Sequence, residues 1–167
     1  TIVRKILESH SNVWLSISAT TRKPRSGEID GEHYFFLNEE NFKELINKEG
    51  FLEWASFSNN FYGTPKKTVK EKMEKGINVL LEIELEGARQ IRKSFPEALQ
   101  IFLAPPNLTE LEKRIRGRGT ETEEAIQDRL AIANNELIAK KEFDAVVINE
   151  DIQKAFEEVE ILMGLKT

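Results

Sequence analysis

The stretch "INVLLEIELEGARQIRKSFPEALQIFLAPP", Ile77 to Pro106, changes its hydrophobic period twice. "INVLLEI" is a short apolar run containing β-branched residues, which predicts a buried strand. "EGARQIRKSF" predicts a helix, and "ALQIFLA" a second buried strand stopped by Pro105 and Pro106. Strand, helix and strand in this order imply a right-handed crossover and parallel pairing, so the segment sets the fold class as α/β.

Moving outward, the rhythm continues downstream. "NLTELEKRIRGRG" predicts a helix capped by Asn107. "TETEEAIQDRLAIANNELIAKK" predicts a long helix, with Thr120 and Glu123 as a capping box. "AVVIN" is a third strand and "DIQKAFEEVEILMG" a last helix. The whole predicts a parallel-sheet core with helices on both faces. Upstream, Ser18 to Gly76 breaks the rhythm. "GEIDGEHYFFL" and "FLEWASFSNNFYGTP" predict short strands joined by Gly, Asn and Asp turns. "NEENFKELINKEG" is a helix between Asn38 and Gly50. "TPKKTVKEKMEKG" is another, with Pro65 at its first position and Gly76 as its stop. This middle reads as a mixed insert beside the carboxyl ends of the core strands, where an open α/β sheet holds ligands. The beginning, "TIVRKILESH", is a helix already in progress, with Ile2, Val3, Ile6 and Leu7 on one face. It predicts a further element upstream.

Composition narrows the partners. The chain has 167 residues, 40% hydrophobic and 32% charged, and a net charge of −5. That fits one globular domain and argues against nucleic-acid binding by a broad basic face. The absence of cysteine excludes disulfides and thiolate chemistry and predicts a cytoplasmic protein. His10 and His33 have no metal-ligand spacing, and no apolar run approaches the roughly 18 residues of a membrane span.

Against this acidic background, "SATTRKPRSGE" concentrates Arg22, Lys23 and Arg25 around Pro24. Guanidinium forks match phosphate oxygens in charge and geometry; on spacing alone the segment also fits a solvated basic turn. Both tyrosines of the chain, Tyr34 and Tyr62, fall in the insert, as phosphate donors or as half-buried sheet residues. Glu53 interrupts the apolar run "FLEWASF". A carboxylate there suits the adjacent N1–H and amino donors of guanine, or else faces solvent from one side of a strand. Glu82 and Glu84, two apart at a strand end, share a face as a ligand edge or as a solvated rim. Arg114, Arg116, Arg118 and Arg129 flank the glycines Gly117 and Gly119, as a phosphate-closing lid or as a helix laced with Arg–Glu pairs.

Together the ordered segments "SATTRKPRSGEIDGEHYFF", "FLEWASF", "FYGTP", "LLEIELEGARQIR", "IFLAPP" and "GRGTETEE" resemble the guanylate kinase family over essentially the whole chain. The resemblance implies a P-loop NTPase-like core in 1–17 and 77–167, a GMP-binding insert in 18–76 and a lid in 111–130. It implies transfer of the γ-phosphoryl group of ATP to GMP or dGMP, with Mg²⁺ travelling with the ATP and no metal ligand from the protein. By motif position, Ser18, Glu53 and Thr64 would contact the base, and Arg22, Arg25, Tyr34 and Tyr62 the GMP phosphate. Glu82 and Glu84 would complete the GMP site, although aspartate is common among relatives where this chain has Glu84. Arg114, Arg118 and Arg129 would serve the transfer, with Arg114, Arg118 and Asn149 on the ATP side. The alternative is a non-catalytic scaffold domain of the same shape, which has no use for lid arginines. The family's glycine-rich phosphate loop has no counterpart from Thr1 onward. The resemblance therefore implies roughly 15–25 preceding residues, a strand plus that loop. A polypeptide starting at Thr1 is expected to be nearly inactive yet able to bind GMP.

Overall fold

Local signals fix most of the helices. In a computed structural model describing residues 1–166, the elements are α1 (Ile2–Ser9), β1 (Val13–Leu15), β2 (Ala19–Thr20), β3 (Phe35–Phe36), α2 (Glu39–Asn47), β4 (Phe51–Phe57), β5 (Asn60–Pro65), α3 (Lys66–Glu74), β6 (Asn78–Leu80), α4 (Leu85–Ser94), β7 (Ile101–Ala104), α5 (Leu108–Gly117), α6 (Glu123–Ala139), β8 (Ala145–Ile148) and α7 (Ile152–Leu162). Asn38 and Asn107 cap α2 and α5 through their side-chain oxygens, as their positions predict. Asp151 does the same for α7.

The chain packs as two units, one of Leu7–Ala98 and one of Thr1–Ile6 with the residues from Leu99 onward. In the first, a four-stranded sheet has the order β3-β2-β5-β4, with β2 parallel to β3 and antiparallel to β5. The β4–β5 hairpin turns through Ser58 and Asn59, both left-handed (φ 51° and 65°), a geometry that matches the twist of its strands. Strand β4 is apolar on both sides because it serves two cores. Phe51 packs with Ala19 and Phe42, and its ring stacks on Phe42 at 4.5 Å. Leu52 packs with Val69 and Ile91, which brings α3 and α4 to the same strand. A separate parallel pair joins β1 to β6. In the second unit β7 pairs in parallel with β8, and Val147, Ala155, Phe156 and Val159 are buried.

Several expectations are corrected. The strands read from 77 onward do not share one ladder: β6 pairs with β1, and β7 with β8. An apolar run reports burial and leaves the hydrogen-bonding partner open. Strand β6 ends at Leu80, before Glu82 and Glu84, and β1 is too short to have announced itself. Pro65 is the last residue of β5 and the N-cap of α3, with an extended backbone (ψ 132°) outside the first helical position. Thr122, not Thr120, caps α6, accepting from the Ala125 N–H at 3.2 Å. Both threonines suit a cap by type, and backbone direction at the helix entrance selects between them.

Candidate functional site

Within the Leu7–Ala98 unit, a cavity of about 460 Å³ is lined by Ser18, Tyr34, Glu53, Tyr62, Glu82 and Glu84, together with Ala55, Ser56, Phe57 and Ile83. Six of the nine residues expected at the GMP site thus meet on one surface. Glu53 lies opposite Thr64, and Ala55 opposite Tyr62, in the β4–β5 ladder. Two strand residues therefore separate the level of the carboxylate from that of the phenol, about 7 Å.

The acidic end is built around Glu53. Its Oε1 accepts from the Thr64 hydroxyl at 2.8 Å. Thr64 is 1% exposed and does not line the cavity, so its contact is with the carboxylate. Burial raises the Glu53 pKa above the ordinary 4.5; the Thr64 bond opposes this, and the charge of Glu84 adds to it. Glu84 is the N-cap residue of α4 but makes no side-chain capping bond. Glu82 and Glu84 reach the cavity from the irregular segment between β6 and α4, not from a pleated strand end.

The other end holds phenols and guanidinium. The Tyr34 and Tyr62 rings meet edge to face at 6.3 Å, and the Arg22 guanidinium lies 5.2 Å from the centre of the Tyr34 ring. Arg22 also forms a bidentate pair with Glu28, both bonds 2.9 Å. Its hydrogen bonds hold the Glu28 carboxyl down at about 2 and raise the pKa of the guanidinium. The Arg22 backbone is set by Thr20, whose hydroxyl accepts from the Arg22 N–H at 3.1 Å and donates to the Phe61 carbonyl at 2.9 Å. Thr21 accepts from the Phe61 N–H. Sequence reasoning missed Glu28, Thr20 and Thr21, although all lie in "SATTRKPRSGE"; an acid and two hydroxyls beside an arginine pair were the available signal. Arg25 donates its backbone N–H to Glu28, while its exposed guanidinium makes no hydrogen bond or ion pair among the described residues.

In the other unit, α5 and α6 enclose a cavity of about 440 Å³ where Arg114, Arg118 and Arg129 rise over Leu111, Ile115, Ile132 and Ala133, beside Glu136. The three arginines expected in the lid are brought together here. Arg129 pairs with Glu121 at 2.8 Å. Arg114 points both terminal nitrogens at the Asn149 carbonyl, 3.4 Å each. The Arg118 guanidinium makes no hydrogen bond or ion pair among the described residues. Arg116, by contrast, is held by Glu112 and Glu123 and stands outside this group. The Asn149 side-chain oxygen is buried and has no hydrogen-bond partner among the described residues.

Comparison with known proteins bears on these arrangements. The family model for guanylate kinase matches residues 1–165. A guanylate kinase of Prochlorococcus marinus (strain NATL2A) is 84% identical over 166 residues, spanning 99% of this chain and 89% of that protein. One of Synechococcus sp. (strain CC9311) is 62% identical over 165 residues, spanning 99% of this chain and 87% of that protein. The crystal structure of guanylate kinase from Anaplasma phagocytophilum superposes with a TM-score of 0.73 at 31% identity, covering 98% of this chain and 79% of that one.

Proposed function

The chain belongs to the guanylate kinase family, and from that membership we propose how its own residues divide the work of ATP-dependent GMP phosphorylation. The bond between the β,γ-bridging oxygen and the γ-phosphorus of ATP breaks, and a phosphate oxygen of GMP takes the phosphoryl group, giving ADP and GDP. No covalent nucleophile from the protein is needed; alignment and charge stabilisation carry the step.

GMP, or dGMP, enters the cavity that the 18–76 segment forms with Glu82, Ile83 and Glu84, its base at Glu53. Glu53 accepts the N1–H and amino donors, with Ser18 beside it and Thr64 holding the carboxylate. Glu82 and Glu84 line the same cavity. Tyr34, Tyr62, Arg22 and Arg25 take the phosphate, and Arg22 arrives already oriented by Glu28. On the core, 1–17 and 77–167, Arg114 and Arg118 of the 111–130 lid meet the ATP phosphates. Arg129 serves the transfer, and Asn149 the adenine. Mg²⁺ would come with the ATP substrate and would supply neutralisation of phosphate charge, with no protein residue assigned to hold it. The partners in this reading are two nucleotides, with no nucleic acid or membrane, in the cytoplasm. No helix among the described residues is long and apolar enough to cross a membrane.

The observation that carries the reading is the make-up of this cavity, which is lined by three carboxylates, Glu53, Glu82 and Glu84, and by two phenols, Tyr34 and Tyr62, with the Arg22 guanidinium packed on the Tyr34 ring. Adenine presents no adjacent donor pair to Glu53 and leaves the half-buried carboxylate with the Thr64 bond alone. The ratio of kcat/KM for GMP over AMP is therefore expected to be at least about 10⁴. Comparable values for the two nucleotides would overturn the assignment.

A further inference from the structure

Glu53 sits on β4, the edge strand of its sheet, so one side of its backbone has no strand to pair with. Helix α4 takes the place of that strand with side chains. The Gln90 amide closes both main-chain groups of Trp54: its oxygen accepts from the Trp54 N–H at 3.0 Å, and its nitrogen donates to the Trp54 carbonyl at 2.9 Å. One turn on, the Ser94 hydroxyl donates to the Leu52 carbonyl at 2.6 Å. The four-residue helical rise, about 6 Å, matches two residues of strand, about 6.7 Å. The backbone of Glu53 is thereby clamped on both flanks by residues outside the cavity.

The same helix limits the carboxylate. Gly87 lies three residues before Gln90, in the first turn of α4. A Cβ there would fall 3.2 Å from Glu53 Oε2 and 2.4 Å from the Ile83 side chain. The bare backbone leaves the space that Oε2 uses, while Thr64 fixes Oε1. Both oxygens must be placed for two parallel bonds to a base edge, and an error in either costs the second bond first.

We infer that Gln90 and Gly87 are positioning residues that set guanine selectivity by holding Glu53 in place, an inference that rests on Glu53 reading the base. The test is calorimetric binding of GMP and IMP, which differ only in the exocyclic amine. The ratio of their dissociation constants is insensitive to the fraction of protein that is folded, and the shared phosphate contacts cancel in it. Gln90→Met keeps length and helix propensity and removes both bonds to Trp54; it is expected to compress the IMP/GMP ratio about tenfold, the scale of one hydrogen bond to a charged group. Gly87→Ala is expected to compress it at least as far. Gln90→Glu keeps the acceptor for the Trp54 N–H but loses the donor, and is expected to fall between Gln90→Met and the parent. Glu53→Gln is the reference. If it leaves the ratio unchanged, the base-reading assignment itself fails. If it compresses the ratio while Gln90→Met retains the parent value, the positioning inference alone is overturned. Because Gln90→Met carries that decision, poor folding of Gly87→Ala does not remove it.

Discussion

At the scale of single residues, the proposed guanine recognition turns on the charge state of Glu53. Burial raises its pKa and the Thr64 bond pulls the other way. A guanine edge offers donors, so it binds the ionised form. KM for GMP is expected to rise as pH falls through the raised pKa, and Glu53→Gln to abolish that dependence. Thr64→Val removes the bond that favours ionisation, so the acid limb should move to higher pH and GMP should bind about tenfold more weakly. The GMP phosphate titrates identically in both proteins, so the difference between pH profiles isolates Glu53. An unmoved limb in Thr64→Val would contradict the role given to that threonine. Glu53 stood out in the sequence because a carboxylate interrupts an apolar run. Thr64 was assigned to the base, and only the strand register reveals that its partner is Glu53.

At the scale of elements, helices were more legible than strands. Asn38 and Asn107 announced their helices because a cap is a short-range bond between a side chain and an N–H three residues on. The entrance to α6 shows the limit of that signal, since Thr120 and Thr122 are chemically equivalent in sequence. Thr122→Ala is expected to lower stability by about 1 kcal/mol, measured from the urea midpoint, whereas Thr120→Ala should leave it unchanged. The reverse order would restore the capping box read from the sequence. Strand pairing was hidden because β1, β2, β3 and β6 are two or three residues long. Such segments carry no period, and tertiary packing alone decides their partners. The clasp of β4 by Gln90 and Ser94 was hidden for a related reason. Polar side chains on a helix look solvated until the neighbouring strand edge is known.

At the scale of the molecule, a net charge of −5 conceals local order. The arginines gather in two places, around Tyr34 and between α5 and α6, and many carry an acidic partner in the protein itself. Glu28 and Glu121 pair with Arg22 and Arg129, so these guanidinium groups are neutralised and oriented within the protein itself. The composition argued against a broad basic face, and the ordered motifs carried the family. What they could not supply was which of the expected residues share a surface. Six of the nine residues expected at the GMP site line the cavity; Thr64, Arg22 and Arg25 do not.

A crystal structure of the protein with GMP is the decisive measurement. The expected result places the guanine N1 and amino nitrogens within about 2.7–3.2 Å of the two Glu53 oxygens, with the phosphate held by Arg22, Arg25, Tyr34 and Tyr62. Guanine bound away from Glu53, or a phosphate that leaves the tyrosines and arginines untouched, would contradict the reading of this cavity.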